Sequence, residues 1–178
     1  MHEEVIMAGF GGQGVMSMGQ ILAYSGMLEG KEVSWLPSYG PEMRGGTANC
    51  NVIVSDTSVA SPVITDATAA IIMNRPSLNR FQDLIMAGGS IFINTSLVDE
   101  KCNRDDLQAY YIPANEIADE LGNNRIANMI LLGAYIEHTG IVSAKSVLNS
   151  LKEVLGESKV HLLPINEEAL KRGASFVK

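Results

Sequence analysis

Short apolar runs alternate with longer stretches at helical spacing along most of the chain. The first run, Glu4 to Gly9 (EVIMAG), reads as a buried strand and leads into Gly9-Phe10-Gly11-Gly12-Gln13-Gly14. From Val15 to Leu28, Met16, Ile21, Leu22, Tyr24 and Leu28 fit one helix, closed by Gly30. Glu32 to Leu36 reads as a second strand and Asn49 to Val54 as a third. The loop between them, Pro37 to Gly46, holds three Gly and two Pro.

A turn near Ser61-Pro62 precedes a buried strand, Ala69 to Met73. Pro76 to Met86 is predicted as a helix with proline at its start and Gly88-Gly89 at its end. Ser90 to Asn94 and Tyr110 to Pro113 read as strands. Asn115 to Leu121 and Ile126 to Thr139 read as helices, the second closed by Gly140. Ser143 caps a helix through Leu155, stopped by Gly156, and Ile165 to Lys178 forms a last helix with Asn166 as N-cap. This alternation predicts one α/β domain over residues 1–178. Its expected architecture is three-layer α/β/α, with a mostly parallel open sheet and a glycine-rich turn after the first strand.

Composition narrows the function. The 178 residues carry a formal charge of −7, so no basic surface is expected to meet nucleic acid or an anionic membrane. The longest apolar stretches, such as Ile126 to Ile136, are interrupted and too short to span a bilayer. The N-terminus enters a strand without a basic segment before it. No signal peptide is therefore expected, and a cytoplasmic location is. The two cysteines, Cys50 and Cys102, lack CxxC spacing, and His2, His138 and His161 are scattered. No metal or cluster site is expected in this chain.

Two segments carry chemistry. In the first, Gly9, Gly11, Gly12 and Gly14 satisfy G-x-G-x-x-G between a strand and a helix. Gly9 permits a tight turn, Gly11 and Gly12 clear space for a ligand, and Gly14 lets the helix approach the sheet. With Gln13, they are the candidate cofactor-binding residues, where free N–H groups suit a phosphate or carboxylate. A dinucleotide would require an acid at the end of the second strand, and that strand runs instead into Pro37-Ser38-Tyr39. A tight turn that binds nothing stays open beside the ligand reading. The second segment runs from Ser38 to Cys50 and supplies an interface or active-site loop: Ser38, Tyr39, Gly40, Pro41, Glu42, Arg44, Gly45, Gly46 and Asn49. Arg44 could bind an anion bidentately or hold a partner.

Together, Gly-Phe-Gly-Gly-Gln-Gly and Ser-Tyr-Gly-Pro-Glu-Met-Arg-Gly-Gly-Thr-Ala-Asn-Cys resemble the gamma subunit of the 2-oxoacid:ferredoxin oxidoreductases. The resemblance covers essentially the whole chain. It implies a subunit without catalytic residues of its own, inactive in isolation, in a hetero-oligomer with alpha, beta and ferredoxin-like delta subunits. Thiamine diphosphate, magnesium and the iron–sulfur clusters would belong to those partners, electrons would leave to ferredoxin, and coenzyme A would be a shared ligand. The second motif looks more like 2-oxoglutarate or branched-chain members than pyruvate members, with 2-oxoglutarate first. A free-standing nucleotide- or flavin-binding oxidoreductase and a non-catalytic scaffold are the alternatives.

Overall fold

The computed structural model describes residues 1–38 and 47–178, apart from the side chains of 155 and 157. Six strands form one sheet: β1 (His2–Phe10), β2 (Glu32–Ser38), β3 (Thr47–Ser55), β4 (Ala67–Ile72), β5 (Ile85–Asn94) and β6 (Gln108–Ile112). Their order is β2-β3-β1-β4-β5-β6. β1, β4, β5 and β6 pair in parallel, while β3 runs antiparallel to both of its neighbours. The sheet is thus mostly parallel, with β3 alone reversed. Pro37 stands on the edge strand β2, where a missing N–H is tolerated.

The alternation of side chains along the strands creates two cores. Val5 and Met7 of β1, Cys50, Val52 and Val54 of β3, and Ile71 of β4 point to one face. There they meet α1 (Val15–Leu28), α3 (Ala114–Glu120), α4 (Ala127–Thr139), α5 (Ala144–Leu155) and α6 (Leu163–Ala174). Ile6, Ala8, Ile53, Ala70 and Ile72 point to the other face. Its cover is thinner: α2 (Arg75–Phe81) contributes Leu78 and Phe81, and the loops contribute Ile64 and Val98. Three layers form as the pattern predicts, with most of the helical mass on one side.

α4 and α6 lie unusually close. A Cβ on Gly133 would run into the backbone of Leu170, and a Cβ on Gly173 into the carbonyl of Ile130. The two glycines leave room for one helix backbone to rest on the other.

Three local expectations are corrected. The helix expected over Pro76 to Met86 stops at Phe81, passes through a 3-10 turn at Gln82–Leu84, and gives way to β5 at Ile85. Ile85 pairs with Ala67 and Ser90 with Ala69, so Met86 to Gly89 bulge out of the sheet rather than close a helix. The apolar run around Ile85 suits either element, and burial in the sheet decides it. Asn166 is not an N-cap. The helix begins a turn earlier, with Pro164 in its first turn, and the Asn166 amide donates to Leu162 O at 2.8 Å. Pro113 stands outside β6 as the residue before α3.

Candidate anion site at the glycine turn

The carboxyl end of β1 carries the glycine turn. Gly12 and Gly14 have φ of 94° and 78°, the left-handed region that other residues adopt only with strain. Gly14 precedes α1, and no side chain caps that helix. Its first N–H groups point toward the turn, the arrangement that attracts anions. Gly14 also meets α4: Asn128 Nδ2 donates to Gly14 O at 3.1 Å and would stand 2.5 Å from a Cβ there. Gly12 is different, since a Cβ on it would meet nothing within 4 Å.

Gln13 braces the turn. Its Oε1 accepts from Phe10 N–H at 2.6 Å and its Nε2 donates to Met73 O at 3.3 Å, joining the ends of β1 and β4. A Cβ on Gly9 would collide with this amide at 2.5 Å. The Gln13 side chain is therefore committed to positioning the loop.

Two clefts flank the turn. One, of about 230 Å³, is bounded by Gly12, Gln13, Met73, Asn115, Asn124, Arg125 and Ala127. The other, of about 280 Å³, lies over Gly11, Gly12 and Gly14, between Phe10, the first turn of α1 and Ala48. Among the described residues, Arg125 is the one charged residue lining either cleft. Asn115 is held by Asn94, whose Nδ2 donates to Asn115 Oδ1 at 2.7 Å. Sequence reasoning missed Arg125, Asn124 and Asn115. Its available signal was the polar run Gly122-Asn123-Asn124-Arg125 before an almost wholly apolar helix.

The second motif lies mostly outside the described residues: Tyr39, Gly40, Pro41, Glu42, Arg44, Gly45 and Gly46 are not among them. Its two ends are. Thr47 pairs with Phe10, and Asn49 pairs with both Ala8 and Ser38. Ser38 and Thr47 thus stand at the same sheet edge as the glycine turn. The topology also bears on the dinucleotide reading. α1 delivers the chain to β2, yet β3 lies between β2 and β1, so among the described residues the strand after α1 does not end next to the turn with an acid for a ribose.

Cys50 packs on the α1 side of the sheet and Cys102 on the α2 side, so the two thiols cannot ligate one ion. Burial pushes the Cys50 thiol up to about 12, leaving it a packing group. Among the described residues, no group of three or more His, Cys, Asp or Glu side chains could hold a metal ion, and no helix is long and apolar enough to cross a membrane.

Comparison with known proteins places this geometry. The model of the pyruvate ferredoxin/flavodoxin oxidoreductase family matches residues 4–176, and the chain belongs to that family. It is 37% identical over 176 residues to the ketoisovalerate oxidoreductase subunit VorA of Methanothermobacter marburgensis, covering 98% of this chain and 36% of that relative. It is 32% identical over 159 residues to the 2-oxoglutarate synthase subunit KorC of the same organism, covering 85% and 86%. The fold is similar to the gamma subunit of a keto/oxoacid ferredoxin oxidoreductase from Geobacter sulfurreducens, with a TM-score of 0.82, 26% identity and 98% of each chain covered. The chain spans about a third of the VorA relative's length.

Proposed function

We propose that this chain is the gamma component of a coenzyme A-acylating 2-oxoacid:ferredoxin oxidoreductase. The complete enzyme converts a 2-oxoacid, coenzyme A and oxidised ferredoxin to acyl-coenzyme A, carbon dioxide and reduced ferredoxin. The observation that carries the reading is family membership over nearly the whole chain, joined to an uncapped helix N-terminus beside an arginine. Thiamine diphosphate, magnesium and the iron–sulfur clusters are assigned to alpha, beta and delta partners; for the clusters the support is that the two thiols here lie on opposite faces of the sheet. The location is assigned to the cytoplasm, where ferredoxin would collect the electrons.

The glycine turn is assigned to a phosphate of coenzyme A. The 230 Å³ cleft is smaller than pockets that enclose a whole ligand, roughly 300 Å³ and upward, and suits a phosphate group. The rest of the ligand would lie against the partners. Gly11 and Gly12 keep the approach open, Gly14 lets Asn128 of α4 close on the turn, Gln13 fixes it, and Arg125 adds a cation. The loop from Ser38 to Gly46, with Arg44 as its cation, is assigned to partner contact, together with Asn49 of β3.

Reconstitution tests the reading. Partner subunits supplied with this chain should reduce ferredoxin in a coenzyme A-dependent manner, and the isolated chain should be colourless and inactive. The ketoisovalerate and 2-oxoglutarate relatives direct the substrate panel to branched-chain 2-oxoacids and 2-oxoglutarate before pyruvate. Full turnover without the chain, or turnover by the chain alone, would defeat the proposal.

A further inference from the structure

Asn94 ends β5 and is wholly buried. Its Oδ1 accepts from two backbone N–H groups, Ser96 at 3.3 Å and Ala114 at 3.2 Å. A backbone N–H only donates, so this end of the side chain must be the oxygen and the other end the amino group. That amino group donates to Asn115 at 2.7 Å, so the atom of Asn115 that receives it must again be an oxygen. Two carboxamides are thereby oriented in series, starting from fixed backbone. The start of α3 is tied to the end of β5 as well, because Ser96 Oγ accepts from the Asn115 and Glu116 N–H groups.

The consequence falls on the smaller cleft, which Asn115 lines together with Gly12, Gln13 and Arg125. With Oδ1 turned to Asn94, Nδ2 is the end that remains, and among the described residues it meets no acceptor. Gln13 shows the contrast, since both ends of its amide are bonded within the protein. An unmatched amino group and a guanidinium on one cleft offer hydrogen-bond donors. The group that suits such a set is one that only accepts, and an ionised phosphate is of that kind.

We propose that Asn115 binds the ligand phosphate through Nδ2, and that Asn94 is the positioning residue that keeps Nδ2, not Oδ1, toward it. A reversed Asn115 amide would set an oxygen against the phosphate. This inference rests on the functional reading above.

The test measures the Kd of the assembled enzyme for coenzyme A in Asn115→Ala, in Asn94→Asp and in the two combined. Asn115→Ala should raise the Kd about tenfold or more, the loss of one charge-assisted hydrogen bond. Asn94→Asp keeps the side-chain size and both bonds from backbone N–H, and at roughly pH 8, with those donors on it, the new carboxylate is ionised. Its second oxygen then only accepts, so Asn115 must turn its amino group inward and present Oδ1 to the cleft. The Kd should rise at least as far as in Asn115→Ala. The added charge acts on the phosphate in either background, so the double variant isolates the amide. Asn94→Asp should raise the Kd at least about threefold more with Asn115 present than in Asn115→Ala. A wild-type Kd in Asn115→Ala would overturn the proposal. Equal effects of Asn94→Asp in both backgrounds, or an Asn94→Asp chain that no longer assembles, would overturn the positioning role of Asn94. An enzyme whose wild-type form binds no coenzyme A, or whose affinity is indifferent to Gly12→Ala and Arg125→Ala, would instead sink the functional reading.

Discussion

Replacing Gly173 with leucine is expected to lower stability by about 3 kcal/mol, the upper end for an overpacked contact. The Cβ would run into the backbone carbonyl of Ile130. Backbone cannot swing aside as a long side chain can, so α6 must move off α4 or the new side chain must leave its rotamer. Leucine is the better helix former by about 1 kcal/mol, so propensity alone points the other way. For a domain of this size the loss corresponds to a fall in Tm of roughly 6–12 °C. Thermal denaturation followed by circular dichroism measures it. An unchanged or raised Tm would mean that the close contact of α4 and α6 contributes nothing to stability.

The second large effect concerns the cleft. In the assembled enzyme, Arg125→Ala should raise the KM for coenzyme A by roughly 10- to 100-fold. A hydrogen bond to a charged group contributes about 1.5–3 kcal/mol, and each 1.4 kcal/mol is a factor of ten. The kcat at saturating coenzyme A should stay close to wild type, because the proposal gives Arg125 a phosphate and not the reacting thiol. The chain's own Tm should also hold, since Arg125 is exposed. Arg125→Lys keeps the charge without the planar fork and should recover part of the loss. Steady-state kinetics with coenzyme A varied at fixed 2-oxoacid reads all three. An unchanged KM in Arg125→Ala would remove this residue from the site.

The sequence made the strand and helix alternation legible because the sheet is buried on both faces and its strands read as continuous apolar runs. The reversal of β3 had a signal of its own. The loop between β2 and β3 is too short for a parallel crossover, which needs about a dozen residues or more, so those strands had to be antiparallel neighbours. The bulged start of β5 was hidden, because Leu84-Ile85-Met86 satisfies helical and extended patterns alike. The glycine turn was legible as a turn, and its conformation bears this out at Gly12 and Gly14. The task of Gln13 was not: an amide in a glycine loop reads as facing a ligand, and only the folded distances reveal its bonds to Phe10 and Met73. Arg125 was hidden for a different reason. It reaches the turn because α4 returns to the carboxyl edge of the sheet, a contact between halves of the chain that no local pattern records.

Calorimetric titration of the assembled enzyme with coenzyme A, without 2-oxoacid, tests most directly the proposal that the glycine turn is a phosphate site for coenzyme A. The comparison is between Gly12→Ala and Gly30→Ala. Both glycines have positive φ, 94° and 72°, and an added Cβ meets nothing within 4 Å at either, so each variant places a Cβ in open space on a backbone that favours glycine, and a melting curve of each reads the strain separately. Only Gly12 lines the clefts. The predicted result is a Kd raised about tenfold or more in Gly12→Ala and unchanged in Gly30→Ala, the loss of one charge-assisted hydrogen bond. Wild-type affinity in Gly12→Ala, or an equal loss in both variants, would contradict the account and leave the turn as a structural device alone.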